Sequence, residues 1–132
     1  MNTTDLNWRT WLEHGDQYLK AGSKNGENSR LGADIRYNLL SNALESYVMA
    51  IMDFHNDLPE NHTYTDLISG LDKTISLDKS LKERILKYEN IQSICSLEKY
   101  HIRPPSEEEL IDLKGAVGEI GKIAHKETSV SQ

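Results

Sequence analysis

The segment Arg30 to His55, RLGADIRYNLLSNALESYVMAIMDFH, carries apolar residues at helical spacing for longer than any other part of the chain. Ala33, Tyr37, Leu40, Leu44, Tyr47, Ile51 and Phe54 follow alternating steps of four and three, which places them on one face of a helix. Ile35, Leu39, Ala43, Val48 and Met52 form a second row that widens the stripe. One neighbour cannot cover so broad a face. The segment therefore predicts the central helix of a bundle, about 40 Å long at roughly 1.5 Å per residue.

On the N-terminal side, Leu6 to Lys20 reads as a first helix with Asp5 as its cap. Trp8, Trp11, Leu12, Gly15, Tyr18 and Leu19 run along one side of it, and a tryptophan left exposed there would mark a partner surface. Ala21 to Asn28 is polar and glycine-bearing, so it reads as the connecting loop. It lacks the Gly-Lys-Ser/Thr ending and preceding strand of a phosphate-cradling loop. On the C-terminal side, Asn56, Asp57, Pro59 and Asn61 end the central helix. A short helix is expected from Thr65 to about Lys73, with Gly70 weakening it, and a longer one from Asp78 to Leu97, capped by Asp78 or by Ser80 with Glu83.

Tyr100 to Pro105 reads as a linker, and Ser106-Glu107-Glu108-Glu109 is the strongest helix-start signal in the chain. Leu110, Leu113, Val117, Ile120 and Ala124 then form a bundle seam ending near His125, with a loose tail from Glu127. Gly115, Gly118 and Gly121 do not share one face, so the reading is a weakened terminal helix, with close approach by a neighbouring helix as the alternative. The expected fold is all-α, an up-and-down four-helix bundle with one short additional helix. Residues 1–125 make one domain and 126–132 a flexible tail.

The 132 residues suffice for one domain with a real core, and 37% hydrophobic with 27% charged residues is a soluble balance. No apolar run is long enough to span a bilayer, and the first residues lack the pattern of a secretion signal. The expected location is the cytoplasm, in keeping with a single cysteine, Cys95, which reads as a small core residue. A formal charge of −6 argues against broad attraction to nucleic acid or anionic membranes.

Three patches, in order, resemble the HEPN domain family of small all-helical modules. Ala43-Leu44-Glu45-Ser46-Tyr47-Val48-Met49-Ala50 is similar to the family's Ala-x-Glu-Lys-x-x-Lys-Ala stretch at Ala43, Glu45 and Ala50, with Ser46 and Met49 replacing the lysines. Tyr64 to Leu71 resembles the Thr-His-Asp-Leu-x-x-Leu segment, with Thr65 where histidine is common. Lys99-Tyr100, the prolines and Ser106 to Glu109 resemble the Arg-Tyr-Pro linker and the acidic start of the last helix. The resemblance runs from about Trp8 to about Ile123.

The resemblance implies a module acting through a homodimer or a small nucleotidyltransferase partner, with a nucleotide or phosphate as ligand. It also implies an alternative, a metal-independent ribonuclease of toxin type. Active members carry Arg, four to six residues, then His: the imidazole takes the proton of a 2′-hydroxyl and the guanidinium holds the attacked phosphate. Arg9 and His14 alone have that spacing, but in the first helix and about 140° apart around it. Lys99, His101 and Arg103 are a basic trio without the motif order, a candidate phosphate or nucleotide site beside a solvated-surface reading.

His55, Asp57, Glu60 and His62 cluster at one turn but lack helical ligand spacing, so no metal and no cofactor is expected; a metal-holding bundle outside the family is the weakest reading. His14 and His125 fall where bundle ends could bring them together. Glu45, beside the apolar stripe, is expected to be partly buried, with a polar contact to Tyr37, Tyr88 or backbone, or else a ligand contact. Missing catalytic order and acidic balance favour a binding or regulatory module over an enzyme.

Overall fold

The computed structural model describes residues 7–23, 32–57, 63–89 and 105–129, the side chain of Asp34 excepted. All regular structure among them is helical: α1 (Trp8–Ser23), α2 (Ala33–Phe54), α3 (Tyr64–Ile75), α4 (Lys79–Leu86) and α5 (Glu107–Ser129). No helix among the described residues is long and apolar enough to cross a membrane.

The expected apolar face of α2 becomes the middle of the core. Leu40, Leu44, Tyr47 and Ile51 are each no more than 1% exposed, joined from other helices by Leu67, Leu71, Ile85, Leu113, Val117 and Ile120. Pairings across the helices fix their directions. Trp8 meets Phe54 edge-on at 5.3 Å, while Gly22 lies against Leu39 and Leu40, so α1 and α2 run antiparallel. Arg36 meets Glu107 and His55 meets Glu127, so α2 and α5 run parallel. Tyr37 stacks near Tyr64, and Met52 covers Gly70, so the extra helix α3 follows the direction of α2. Lys82 pairs with Asp72, and Thr65 with Glu89, so α4 returns antiparallel to α3.

Local chemistry explains most of the ends. Asn56 closes α2 in the left-handed region (φ 61°), its N–H bonding Asp53 O while Asp57 N bonds Met52 O. That pair of bonds is the Schellman arrangement, which asparagine tolerates better than most residues. Asp78 caps α4 by accepting from Leu81 N, settling the choice against Ser80. Ser106 Oγ accepts from Glu109 N, and Glu109 Oε1 accepts from Ser106 N, a complete capping box.

Several expectations need correction. Asn7, not Asp5, caps α1: its Oδ1 accepts from Arg9 N and Thr10 N, and the helix continues past Lys20 to Ser23. Ile35 is 50% exposed, because α1 ends opposite Leu39 and Leu40 and the first turn of α2 projects beyond it. The regular part of α4 stops at Leu86 instead of reaching Leu97: Tyr88 N bonds Ile85 O, and the Tyr88 carbonyl accepts from Tyr37 Oη at 2.8 Å. Cys95, with Ile91 and Ile94, lies outside the described residues. At the other terminus α5 continues to Ser129, four residues past its expected end. Thr128 is buried and donates to Ala124 O, and Glu127 reaches His55 at 3.1 Å, so the expected tail from Glu127 is helical as far as Ser129.

The three glycines of α5 also differ from the uniform weakening expected of them. A methyl group at Gly121 would stand 2.8 Å from the Tyr47 ring, and one at Gly15 on α1 would stand 2.6 Å from the same ring. Tyr47 is therefore clamped between two glycines, and close approach is what those positions require. Among the described residues nothing lies within 4 Å of such a methyl group at Gly118, and Arg84 is near at Gly115.

Candidate functional site

A polar cluster sits beside this clamp, with Asp16 and His125 half exposed at the surface. Tyr47 Oη donates to Asp16 Oδ1 at 2.6 Å, and His125 Nε2 lies 3.0 and 3.1 Å from the two Asp16 oxygens. Burial pushes the Tyr47 hydroxyl well above its ordinary value, and the hydrogen bond and charge of Asp16 push it further. A phenol so held remains a proton donor. The cluster ties α1, α2 and α5 together and offers no activated nucleophile. His125 thus finds Asp16, while His14 faces elsewhere.

Tyr88 follows the same pattern at the junction of α4 and α5. Its hydroxyl donates to Asp112 Oδ2 at 2.5 Å, and burial first, Asp112 second, raise it. Asp112 is correspondingly held low, chiefly by that donated bond and further by Lys87 and Arg84. These contacts are structural.

The recess between α1 and α2 is different in kind. Gly15 and Gly22, seven residues apart, let the inner face of α1 settle on Tyr47 and Leu40. That depth brings the flank of α1, with Trp11, His14 and Tyr18, against Asn42, Glu45 and Ser46 of α2. The six enclose a recess of about 160 Å³. Trp11 and His14 have ring centroids 6.4 Å apart with planes at 84°, and His14 and Tyr18 are 6.5 Å apart at 73°. The three rings are half-buried and make a stepped aromatic wall; Ser46, 4% exposed, lies at the base. Glu45 is partly buried as expected, and borders this recess.

Two other hollows have different chemistry. A groove of about 460 Å³ between α1 and α5 is lined by Leu19, Ile111, Gly115 and Gly118, with Lys114 and Lys122 at its edges. One of about 360 Å³ between α3 and α4 is lined by Ile68 and Leu86, with Asp72 and Lys82 already paired. Neither brings an imidazole and a carboxylate together.

Of the residues singled out in the sequence, Arg9 and His14 are not brought to one site. The Arg9 guanidinium lies over the Trp8 ring at 4.4 Å, and Arg9 does not line the recess that holds His14. Lys99, His101 and Arg103 lie outside the described residues, as do Glu60 and His62 of the suspected metal turn. Among the described residues no group of three or more His, Cys, Asp or Glu side chains is placed to hold a metal ion.

The sequence singles out His14 and Glu45 as chemistry-bearing residues, and Trp11 and Tyr18 only as part of the side of the first helix that faces the bundle. The spacing 11, 14, 18 on α1 and 42, 45, 46 on α2 was the available signal, since each set shares a helix flank. Chemically the recess offers acceptors, an amide and aromatic rings, and among the described residues no Lys or Arg side chain lines it. It suits a cationic or neutral group better than a phosphate. No family model matches the chain, and no match is found among curated proteins or solved structures.

Proposed function

We propose that the chain is a noncatalytic, HEPN-like binding or regulatory module that acts through a homodimer or through a partner such as a small nucleotidyltransferase. The observation that carries this reading is the fate of the one Arg and His pair with nuclease spacing. Arg9 is drawn onto Trp8, and His14 is built into an aromatic wall that Arg9 does not join, so the two are not placed to hold one phosphate between them. The acidic balance of −6 points the same way. The ordered likeness of the three sequence patches supports the family, and the helical architecture agrees with it.

The test is cleavage of mixed cellular RNA by the purified chain in the presence of a chelator, beside His14→Ala and His101→Ala variants. No cleavage by any of the three is expected. Cleavage by the parent protein that disappears in one variant would replace this reading by the toxin-type ribonuclease and would name its base. Sedimentation equilibrium on the same sample reads the dimer directly: twice the 15.0 kDa chain mass is the homodimer, and a monomer leaves the separate partner.

A further inference from the structure

We propose that α4 is a releasable strap, hinged at Ser76 and clasped on Asp112, which opens as a unit while the packing of α1, α2 and α5 stays intact. The hinge is a strained residue. Ser76 ends α3 at φ 59° and ψ 91°, a conformation that is costly for a residue with a Cβ and persists only where its surroundings impose it. Asp72 imposes it through three contacts. Its carbonyl accepts from Ser76 N at 2.9 Å, its Oδ1 from Leu77 N at 2.7 Å and its Oδ2 from Lys82 Nζ at 2.9 Å. One residue of α3 thus holds both the turn and the start of α4. At the far end a second carboxylate gathers the strap: Asp112 of α5 accepts from Tyr88 Oη, and Arg84 and Lys87 reach it at 3.1 and 3.2 Å.

Between hinge and clasp, Leu81 and Ile85 are the buried residues of α4. So short a helix does not stand by itself in water, and it depends on its neighbours, with the two carboxylates supplying the polar share of that contact. The side chains of Asp72 and Asp112 are 35% and 31% exposed, and ion pairs so placed are weakened by salt. In α2, by contrast, every residue from Ser46 to Met52 is buried, so α2 cannot open without the whole core. Segments with few buried side chains open at lower free energy than the core they pack on. Opening withdraws Leu81 and Ile85 from the apolar cluster that they share with Leu71 of α3 and Leu113 of α5. The strap is thus a device for uncovering apolar surface that the closed state hides. This inference does not depend on the family reading, and either can fail without the other.

The experiment is amide hydrogen exchange of the full chain, read residue by residue from nitrogen–proton correlation spectra, with Glu83 to Leu86 of α4 set against Leu44 to Ile51 of α2. The α4 amides should exchange at least about tenfold faster than those of α2. They should quicken at least about threefold between about 0.1 M and about 1 M sodium chloride, while those of α2 do not. Glycine adopts the Ser76 conformation without the Cβ penalty, so Ser76→Gly should slow exchange in α4 at least about threefold. Asp72→Ala, which frees the hinge, should speed it at least about tenfold with α2 unchanged. Exchange of α4 at the α2 rates and with the same urea dependence would mean that it opens only with the whole chain, and would overturn the proposal. So would a salt response shared equally by α2, or exchange in Ser76→Gly no slower than in the parent protein. The salt and glycine arms decide the matter even where Asp72→Ala does not fold.

Discussion

Gly118 and Gly121 lie about one turn apart on α5, yet a methyl group would enter open space at the first and strike the Tyr47 ring at the second. Both lower the intrinsic helix propensity by a similar amount. At Gly121 the loss is offset by contact, because α5 comes down on a ring that Gly15 of α1 already holds from the other side. At Gly118 no described residue offsets it. The last helix is therefore two-sided: one face is locked into the core, and the other, with Ile111 53% exposed, is an open groove beside α1. A glycine in a helix acquires a meaning only from what stands opposite it.

The largest expected effect empties the clamp. Tyr47→Ala leaves a hole between two residues without side chains, and a loss of about 3 to 5 kcal/mol is expected from urea unfolding. Leu44→Ala and Ile51→Ala, truncations of the adjoining core, should cost about 2 to 5 kcal/mol. Losses under half a kilocalorie at those two positions would discard α2 as the central helix. Next come the glycines themselves. Gly121→Ala and Gly15→Ala should each lose about 1 to 3 kcal/mol through overpacking, while Gly118→Ala should gain up to about 1 kcal/mol. The same sign at 118 and 121 would erase the distinction drawn between the two faces.

The smallest effect concerns acid. Tyr88, then Lys87 and Arg84, hold Asp112 below the ordinary aspartate value despite its partial burial. A carboxyl lowered on folding adds stability that is complete above its unfolded value and is lost as pH falls through the folded one. Stability should therefore decline below about pH 4, and Tyr88→Phe, which removes the main cause, should flatten that decline in urea melts run at successive pH values. Tyr47→Phe at the clamp, which removes the bond to Asp16, should cost about 0.5 to 1.5 kcal/mol in urea melts at neutral pH.

How far the molecule could be read beforehand depended on the distance over which each signal acts. The face of α2, the seam of α5 and the Ser106 box were legible, because periodicity and capping are set by residues within a turn or two. Asn7 displaced Asp5 through a two-residue shift that two cap formers so close in sequence leave open. The end of α5 was not legible, since polar residues there gave no stripe, and its continuation rests on Thr128 bonding Ala124 and on Glu127 reaching His55 across the bundle. The clamp was invisible for the same reason: Gly15, Tyr47 and Gly121 are meaningful only together. Of the recess, His14 and Glu45 drew notice as chemistry-bearing residues, whereas Trp11 and Tyr18 were absorbed into a single apolar side of α1 that in the structure divides between core and recess.

The polar contacts that join the two ends of α2 and α5 bear on how the chain reaches this state. Arg36 and Glu107 are separated by 71 residues and His55 and Glu127 by 72, whereas Tyr47 finds Asp16 across 31. Closing the longer loops carries the greater entropic cost and delays them. The α1–α2 hairpin should form first and α5 dock last, so that Tyr47 spends the folding transition state held from one side only. φ-values near zero at Gly121 with higher values at Gly15 would record that order, and the reverse ranking would refute it. The clamp would then act kinetically as a latch: its closure slows unfolding more than it speeds folding.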